Sequence, residues 1–135
     1  MADDDIDDRE LLVERFLEQN PNVGVETFDD GHQLLTHLQQ RDPADLPLLI
    51  ILDYKMPVLT GAEVLQAIER DARYKDIPKI VWSTSNNKEY INRCIGLGAD
   101  KYFTKPASIA ELDKMIGYLS QLIRLRLLSA STDPA

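Results

Sequence analysis

Short unbroken runs of apolar residues alternate along the chain with longer stretches in which apolar residues recur at helical spacing. Five consecutive apolar residues at 48–52 are typical of a strand buried on both faces, as in parallel sheets. Further strands are predicted at 23–28, 77–82 and 101–104, and the helical stretches centre on residues 12–17, 34–38, 64–68, 91–95 and 112–123. Strands that alternate with helices predict an α/β fold, with a parallel sheet covered by helices on both faces.

Capping signals place the ends of several helices. A capping side chain followed by a glutamate opens three of them, with the pairs Thr60 and Glu63, Asn86 and Glu89, and Ser108 and Glu111. Gly98 is a suitable left-handed residue to end the helix that bears Cys94. Since the apolar pattern stops near residue 128, we expect one domain over residues 1–128 and a flexible tail over 129–135.

Charge and composition exclude several classes of protein. The 135 residues include 15 basic and 23 acidic ones, and a net charge of −8 argues against nucleic-acid binding and against an anionic membrane as partner. Six acids and one base among the first ten residues give that segment −5, so the acidic excess is local. A single cysteine, Cys94, and no apolar run near the ~20 residues of a membrane helix favour a cytoplasmic protein.

Polar side chains follow the predicted strands at the points where each strand ends. Asp53 follows the run at 48–52, Ser83 follows the next strand, and Lys105 follows the last. Asp3 and Asp4 precede the first helix, where a further strand would normally end. Each residue alone has an ordinary interpretation as a turn or cap. Together they predict a site, because ligands of open α/β sheets bind outside the carboxyl ends of the strands.

The electrostatics of this set favour a hard divalent cation. Two carboxylates about 4 Å apart repel by roughly 4 kcal/mol at an effective dielectric constant of about 20. All-oxygen ligands suit Mg²⁺ or Mn²⁺, whereas His32 and His37 lie five residues apart and do not share a helix face. A carboxylate beside Mg²⁺, a lysine and a hydroxyl can accept a phosphoryl group as an aspartyl phosphate.

Four ordered motifs carry a resemblance to a known family. They are Ala2-Asp3-Asp4-Asp5, Leu52-Asp53-Tyr54-Lys55-Met56-Pro57 with Thr60-Gly61, Val81-Trp82-Ser83, and Tyr102-Phe103-Thr104-Lys105-Pro106. The chain resembles, from residue 2 to about 123, the receiver domain of two-component response regulators, of the stand-alone chemotaxis type. The resemblance implies a flavodoxin-like doubly wound parallel sheet with strand order 2-1-3-4-5.

The resemblance implies a phosphoacceptor and a metal site. Asp53 would take a phosphoryl group from a histidine kinase or a phosphotransfer protein. Mg²⁺, or Mn²⁺ in its place, would be held by Asp3, Asp4, Asp53 and the backbone carbonyl of Lys55. The domain would not be an enzyme, beyond phosphorylating itself from small phosphodonors and losing the group again.

The resemblance also implies the residues that bind the phosphoryl group and transmit its arrival. Lys105 would bridge to the phosphoryl oxygens, Ser83 would move toward them, and Tyr102 would change its packing. A phosphoryl group adds about −1.5 to −2 charges and three acceptors, which is enough to bias a bistable loop. The signal would then pass to a downstream protein through protein-protein contacts.

The first strand of the family pattern is missing, since only Met1 and Ala2 precede Asp3. Two residues span roughly 7 Å and cannot form a central strand. Upstream residues outside this sequence, a strand supplied by a neighbouring chain, or a rearranged sheet would each account for it, and we expect the first. Either of the others would make the metal roles of Asp3 and Asp4 doubtful.

Two other functions and one assembly remain open at this stage. A receiver that is no longer phosphorylated could act only as a binding module. An aspartate-nucleophile phosphohydrolase typically carries a second Asp two residues after the first, where this chain has Lys55. Leu125 and Leu128 lie outside the line of apolar residues that faces the core from the last helix, which is compatible with a homodimer through that helix.

Overall fold

The structure, a computed structural model, describes the backbone of residues 1–132 and the side chains of residues 1–129. Five helices and three strands follow in the order α1 Ile6–Gln19, α2 Gly31–Gln39, β1 Ile50–Asp53, α3 Gly61–Glu69, β2 Lys79–Ser83, α4 Lys88–Gly96, β3 Lys101–Thr104 and α5 Ile109–Thr132. Two short 3₁₀ helices lie at Pro43–Asp45 and Ala72–Tyr74. No described helix is long and apolar enough to cross a bilayer.

The three strands form one parallel sheet in the order β1-β2-β3. Every residue of β1 and β2 is buried, because helices cover both faces of the sheet. One face packs on α1 and α5 through Leu12, Phe16 and Leu119, and the other packs on the remaining helices through residues such as Leu65 and Cys94. The α/β class with a parallel sheet is confirmed.

Ala2 lies between the segment at Phe28 and strand β1, in the position that a central strand of the sheet would take. It forms parallel bridges to both Phe28 and Leu52. The N–H of Ala2 donates to the carbonyl of Ile51 at 2.9 Å, and the carbonyl of Ala2 accepts from the N–H of Asp53 at 3.0 Å. The segment at Ala2 therefore lies between the segment at Phe28 and β1, which is the order that the resemblance implies for the family's first strand. A rearranged sheet is wrong as the explanation for the missing strand.

The strand predicted at 23–28 is wrong within the described structure. Only Phe28 is bridged, and the residues before it have no strand assignment. A strand needs a neighbour along its length, and the central position offers only Met1 to Asp3. On the amino-terminal side of Ala2, the segments 23–26 and 48–51 instead flank a cavity of about 400 Å³.

The helix ends follow the capping signals with one correction. Thr60 and Glu63 form a complete capping box on α3, and the Ser108 hydroxyl accepts from the N–H of Glu111 on α5. Helix α4 is capped by Asn87 and not by Asn86, because the Asn87 side chain accepts from the N–H groups of Glu89 and Tyr90.

Helix α5 extends further than the apolar pattern. Residues 129–132 continue the helix, where the sequence predicted the start of a flexible tail. The rest of the predicted tail, 133–135, lies outside the described residues.

Candidate functional site

The candidate site lies at the carboxyl edge of the sheet, where three buried side chains end neighbouring strands. Asp53 is the last residue of β1 and Ser83 the last of β2, and Asp3 directly follows the bridged Ala2. The exposed fractions of Asp3, Asp53 and Ser83 are 0%, 5% and 1%. Parallel strands bring these positions together, since their carboxyl ends share one edge.

The ammonium of Lys105, just after β3, lies among three carboxylates at this edge, whereas the nearby guanidinium of Arg9 donates to the carbonyl of Asp3 and to the carboxylate of Asp29. Nζ of Lys105 lies 2.8 Å from Oδ2 of Asp8, 3.1 Å from Oδ2 of Asp3 and 3.2 Å from Oδ2 of Asp53. The ammonium also lies 4.9 Å from the ring centroid of Trp82, within cation-π range. Three carboxylates therefore share one ammonium.

Burial and the neighbouring charges change the pKa values of Asp53 and Lys105. Burial, followed by the charge of Asp3, raises the pKa of Asp53 to about 6, while Lys105 opposes the shift. For Lys105, burial alone would lower the pKa. Its hydrogen bond to Asp8 and the charges of Asp53 and Asp3 outweigh burial and raise that pKa above its ordinary value.

The acidic cluster fits a divalent cation. Oxygens of Asp3, Asp4 and Asp53 lie within 4.8 Å of one another. Oδ1 of Asp3 accepts from the N–H of Asp5 at 2.9 Å, but its buried Oδ2 has no hydrogen bond, although Lys105 is near. An unsatisfied buried carboxylate oxygen is costly, and a hard cation satisfies it. The cluster can therefore hold Mg²⁺ or Mn²⁺.

A tight loop between β1 and α3 holds the backbone around Asp53 in place. The N–H of Gly61 donates to the carbonyl of Tyr54 at 2.8 Å. A Cβ at Gly61 would lie 2.6 Å from the carbonyl oxygen of Asp53, so only glycine allows this approach. Val58, at the loop tip, adopts a φ of 71°, which is strained for a β-branched residue. Lys55 is an exposed residue of this loop, and the role of its carbonyl stays a prediction.

Ser83 and Tyr102 both contact the loop that follows β2. The Ser83 hydroxyl accepts from the N–H of Ser85 at 3.3 Å, and the Tyr102 hydroxyl donates to the carbonyl of Ser85 at 2.7 Å. Burial raises the pKa of Tyr102. Ser83 and Tyr102 are therefore linked by hydrogen bonds through a single loop residue, Ser85.

The structure brings together every side chain that the sequence predicted for the pocket: Asp3, Asp4, Asp53, Ser83 and Lys105. Sequence reasoning missed Asp8 and Trp82, which both contact Lys105. No local signal marked the contact of Asp8, because Asp8 and Lys105 lie 97 positions apart in the chain.

The fold and the site together define a doubly wound α/β domain with an acidic pocket at the carboxyl edge of its sheet. The family model of the response regulator receiver domain matches residues 1–117. The chain belongs to this family.

Known relatives agree with this assignment. The chain is 33% identical over 134 residues to the two-component response regulator ORR4 of Oryza sativa subsp. indica, covering 87% of this chain and 57% of that protein. It is 32% identical over 122 residues to ARR17 of Arabidopsis thaliana, covering 84% of this chain and 78% of that one. The chain spans little more than half the length of several curated relatives that it matches.

Solved structures give the same fold. The phosphorylated cyanobacterial phytochrome response regulator RcpA is 31% identical, with a TM-score of 0.81, covering 99% of this chain and 95% of that one. The Mn²⁺-bound form of response regulator Rcp1 is 27% identical, with a TM-score of 0.71 and 88% of each chain covered.

Proposed function

We propose that Asp53 is the phosphoacceptor of this receiver domain and that a histidine kinase or a phosphotransfer protein supplies the phosphoryl group. The observation that carries the proposal is the position of the Asp53 carboxylate, 3.2 Å from the Lys105 ammonium and beside Asp3 and Asp4. A nucleophile, a cation and a metal-binding pair then meet at one edge of the sheet.

The transfer is a substitution at phosphorus. A carboxylate oxygen of Asp53 forms the new P–O bond, and the P–N bond of a phosphohistidine breaks. The electron pair of the P–N bond returns to the imidazole nitrogen. Since the pKa of Asp53 is about 6, the carboxylate is ionised at neutral pH and available as the nucleophile.

The surrounding residues stabilise charge on the transferred group. Mg²⁺ or Mn²⁺, held by Asp3, Asp4, Asp53 and the carbonyl of Lys55, would supply positive charge to the phosphoryl oxygens. The Lys105 ammonium exchanges part of its contact with Asp3 and Asp8 for one of those oxygens, because the doubly charged phosphoryl group competes for it.

Ser83 and Tyr102 transmit the change. The Ser83 hydroxyl, at the end of the strand beside Asp53, moves toward the phosphoryl group to donate to it, and this movement draws it away from the Ser85 N–H that it now accepts from. The loop then shifts, and Tyr102 loses or exchanges its bond to the carbonyl of Ser85. The face of β3, α4 and α5 near Tyr102 is the surface that a target protein would sense.

Labelling tests the proposal. The purified chain with Mg²⁺ and acetyl phosphate, or with a phosphorylated histidine kinase, should gain one phosphoryl group by intact mass. Asp53→Asn should gain none, and the control Asp7→Asn, an exposed acid of α1, should label like the wild type. Labelling of Asp53→Asn at the wild-type level would overturn the assignment.

Self-association through α5 stays a prediction. Leu125, Leu127 and Leu128 are each about half exposed on this helix, at 55%, 51% and 55%. Sedimentation velocity at high protein concentration, before and after phosphorylation, measures the assembly. A monomer under both conditions would contradict the prediction.

A further inference from the structure

The ammonium of Lys105 is shared between the phosphoacceptor and a carboxylate from another element of the fold. Asp8, in the first turn of α1, lies 2.8 Å from Nζ of Lys105, whereas Asp53 lies 3.2 Å from it. Burial lowers the pKa of Lys105, and the hydrogen bond to Asp8 is the largest of the contacts that raise it. Asp8 is therefore the strongest single partner of the ammonium in this state.

Contacts within the first turn of α1 hold Asp8 at the pocket independently of Lys105. The N–H of Asp8 donates to Oδ1 of Asp5, the N-cap of the helix, at 3.0 Å. The next residue, Arg9, donates to the carbonyl of Asp3 and to the carboxylate of Asp29, both at 2.8 Å. These bonds hold the turn against the carboxyl edge of the sheet, so Asp8 stays within reach when the ammonium moves.

Asp8 and Asp53 compete for the ammonium from the outer and the inner side of the pocket. The side chain of Asp8 is 37% exposed, whereas that of Asp53 is 8% exposed. The Lys105 side chain is 10% exposed, and its ammonium lies 4.9 Å from the ring centroid of Trp82. Little water reaches an ammonium so placed, and its position is therefore decided mainly by the carboxylates.

This competition changes when Asp53 carries a phosphoryl group. The ammonium has to give up part of its contact with Asp8 before it can bind a phosphoryl oxygen, and charge-assisted hydrogen bonds of this kind are strong. A bound metal leaves that contact in place, because the cluster that fits a metal consists of Asp3, Asp4 and Asp53. Asp8 therefore opposes the movement of Lys105 with or without Mg²⁺.

We propose, building on the proposed phosphoacceptor, that Asp8 is a positioning residue that restrains Lys105 and so weakens the binding of a phosphoryl group at Asp53. It acts on the ammonium and not on the reacting atoms. A residue of α1 thereby sets how readily the domain enters its phosphorylated state.

Binding of beryllofluoride tests this inference. A carboxylate oxygen coordinates the beryllium, and the anion stands in for a phosphoryl group, so its dissociation constant reports on the bound state without a transfer step. Fluorine NMR measures this constant for the full chain at saturating Mg²⁺. Asp8→Asn should bind the anion about tenfold more tightly than the wild type. A gain in affinity cannot come from damage to the fold.

Two comparisons separate restraint of Lys105 from a general effect of charge. Asp7→Asn removes an equal charge from the neighbouring exposed position and should bind within about twofold of the wild type. Repulsion between Asp8 and the anion would act with or without the ammonium. In Lys105→Met, where Mg²⁺ and Asp53 still hold the anion, adding Asp8→Asn should therefore change the constant by less than about threefold.

Three results would overturn the inference. The first is equal dissociation constants for Asp8→Asn and Asp7→Asn, and the second is an equal gain from Asp8→Asn with and without the Lys105 ammonium. The third is a loss of about tenfold in the Mg²⁺ affinity of Asp8→Asn, which would make Asp8 a metal ligand. Each leaves the labelling of the wild type untouched. A wild-type chain that neither binds beryllofluoride nor takes a label would instead contradict the proposed phosphoacceptor, and the inference with it.

Discussion

Replacing Asp53 by asparagine should stabilise the metal-free protein while abolishing its phosphorylation. The carboxylate is buried and shares one ammonium with Asp3 and Asp8, so ionising it in the fold is costly. Its pKa rises from 3.8 to about 6. Two pKa units at about 1.4 kcal/mol each give a cost of about 3 kcal/mol at neutral pH, which Asp53→Asn removes.

The pH dependence of this gain follows from the sign of the shift. A carboxyl group with a higher pKa in the folded state binds its proton more tightly there, so folding loses stability as pH rises from about 4 to about 6. Below pH 4 the group is protonated in both states, and the Asp53→Asn gain is small. Above pH 6 the gain reaches its full value of about 3 kcal/mol.

Urea unfolding in a chelating buffer measures the increase in the free energy of unfolding that Asp53→Asn causes. Circular dichroism and the fluorescence of Trp82, the sole tryptophan of the chain, give the free energy of unfolding at pH 4 and pH 8. Asp7→Asn, which removes one exposed acid, is the control and should change little. Mg²⁺ should narrow the difference, because it stabilises the wild-type carboxylates. An Asp53→Asn protein no more stable than wild type at pH 8 would refute the reasoning.

Three further substitutions test other contacts in the site. Lys105→Met leaves the buried carboxylates without their cation and should lower the free energy of unfolding by about 3 kcal/mol, measured in urea at pH 8. Gly61→Ala places a Cβ against the carbonyl of Asp53 and pushes the loop away from it. The free energy of unfolding should fall by about 1–3 kcal/mol, and labelling by acetyl phosphate should be slower. Tyr102→Phe loses the hydrogen bond to Ser85 and should cost about 1 kcal/mol without changing the extent of labelling. Unchanged stability in any of the three would contradict the contact concerned.

The sequence predicted most of the fold because its signals are local. The apolar run at 48–52 predicted a strand, and β1 at Ile50–Asp53 is buried throughout. The capping box of Thr60 and Glu63 placed the start of α3. The strand predicted at 23–28 failed for a nonlocal reason: its residues suit a strand, but a strand also needs a partner along its length. The sequence pattern at 23–28 carries no information about that partner.

The chemical character of the site was also readable from the chain, since the residue types at the strand ends carry it. Asp53 and Ser83 end their strands and Lys105 follows the next one, and parallel strands bring their carboxyl ends together. The contact between Asp8 and Lys105 was not readable, because the two residues lie 97 positions apart. Only the packing of α1 against the sheet decides which acid of the first turn reaches the ammonium.

By itself, then, the sequence determined the alternation of strands and helices, the residues at the carboxyl edge and the family to which they belong. The tertiary structure decided how deeply Asp53 is buried beside Asp3 and how three carboxylates share one ammonium, and the burial together with the charge of Asp3 raises the pKa of Asp53. It also decided that Ala2 holds the central position of the sheet with a cavity behind it. Both outcomes depend on distances between segments far apart in the chain, and local patterns of polarity do not encode such distances.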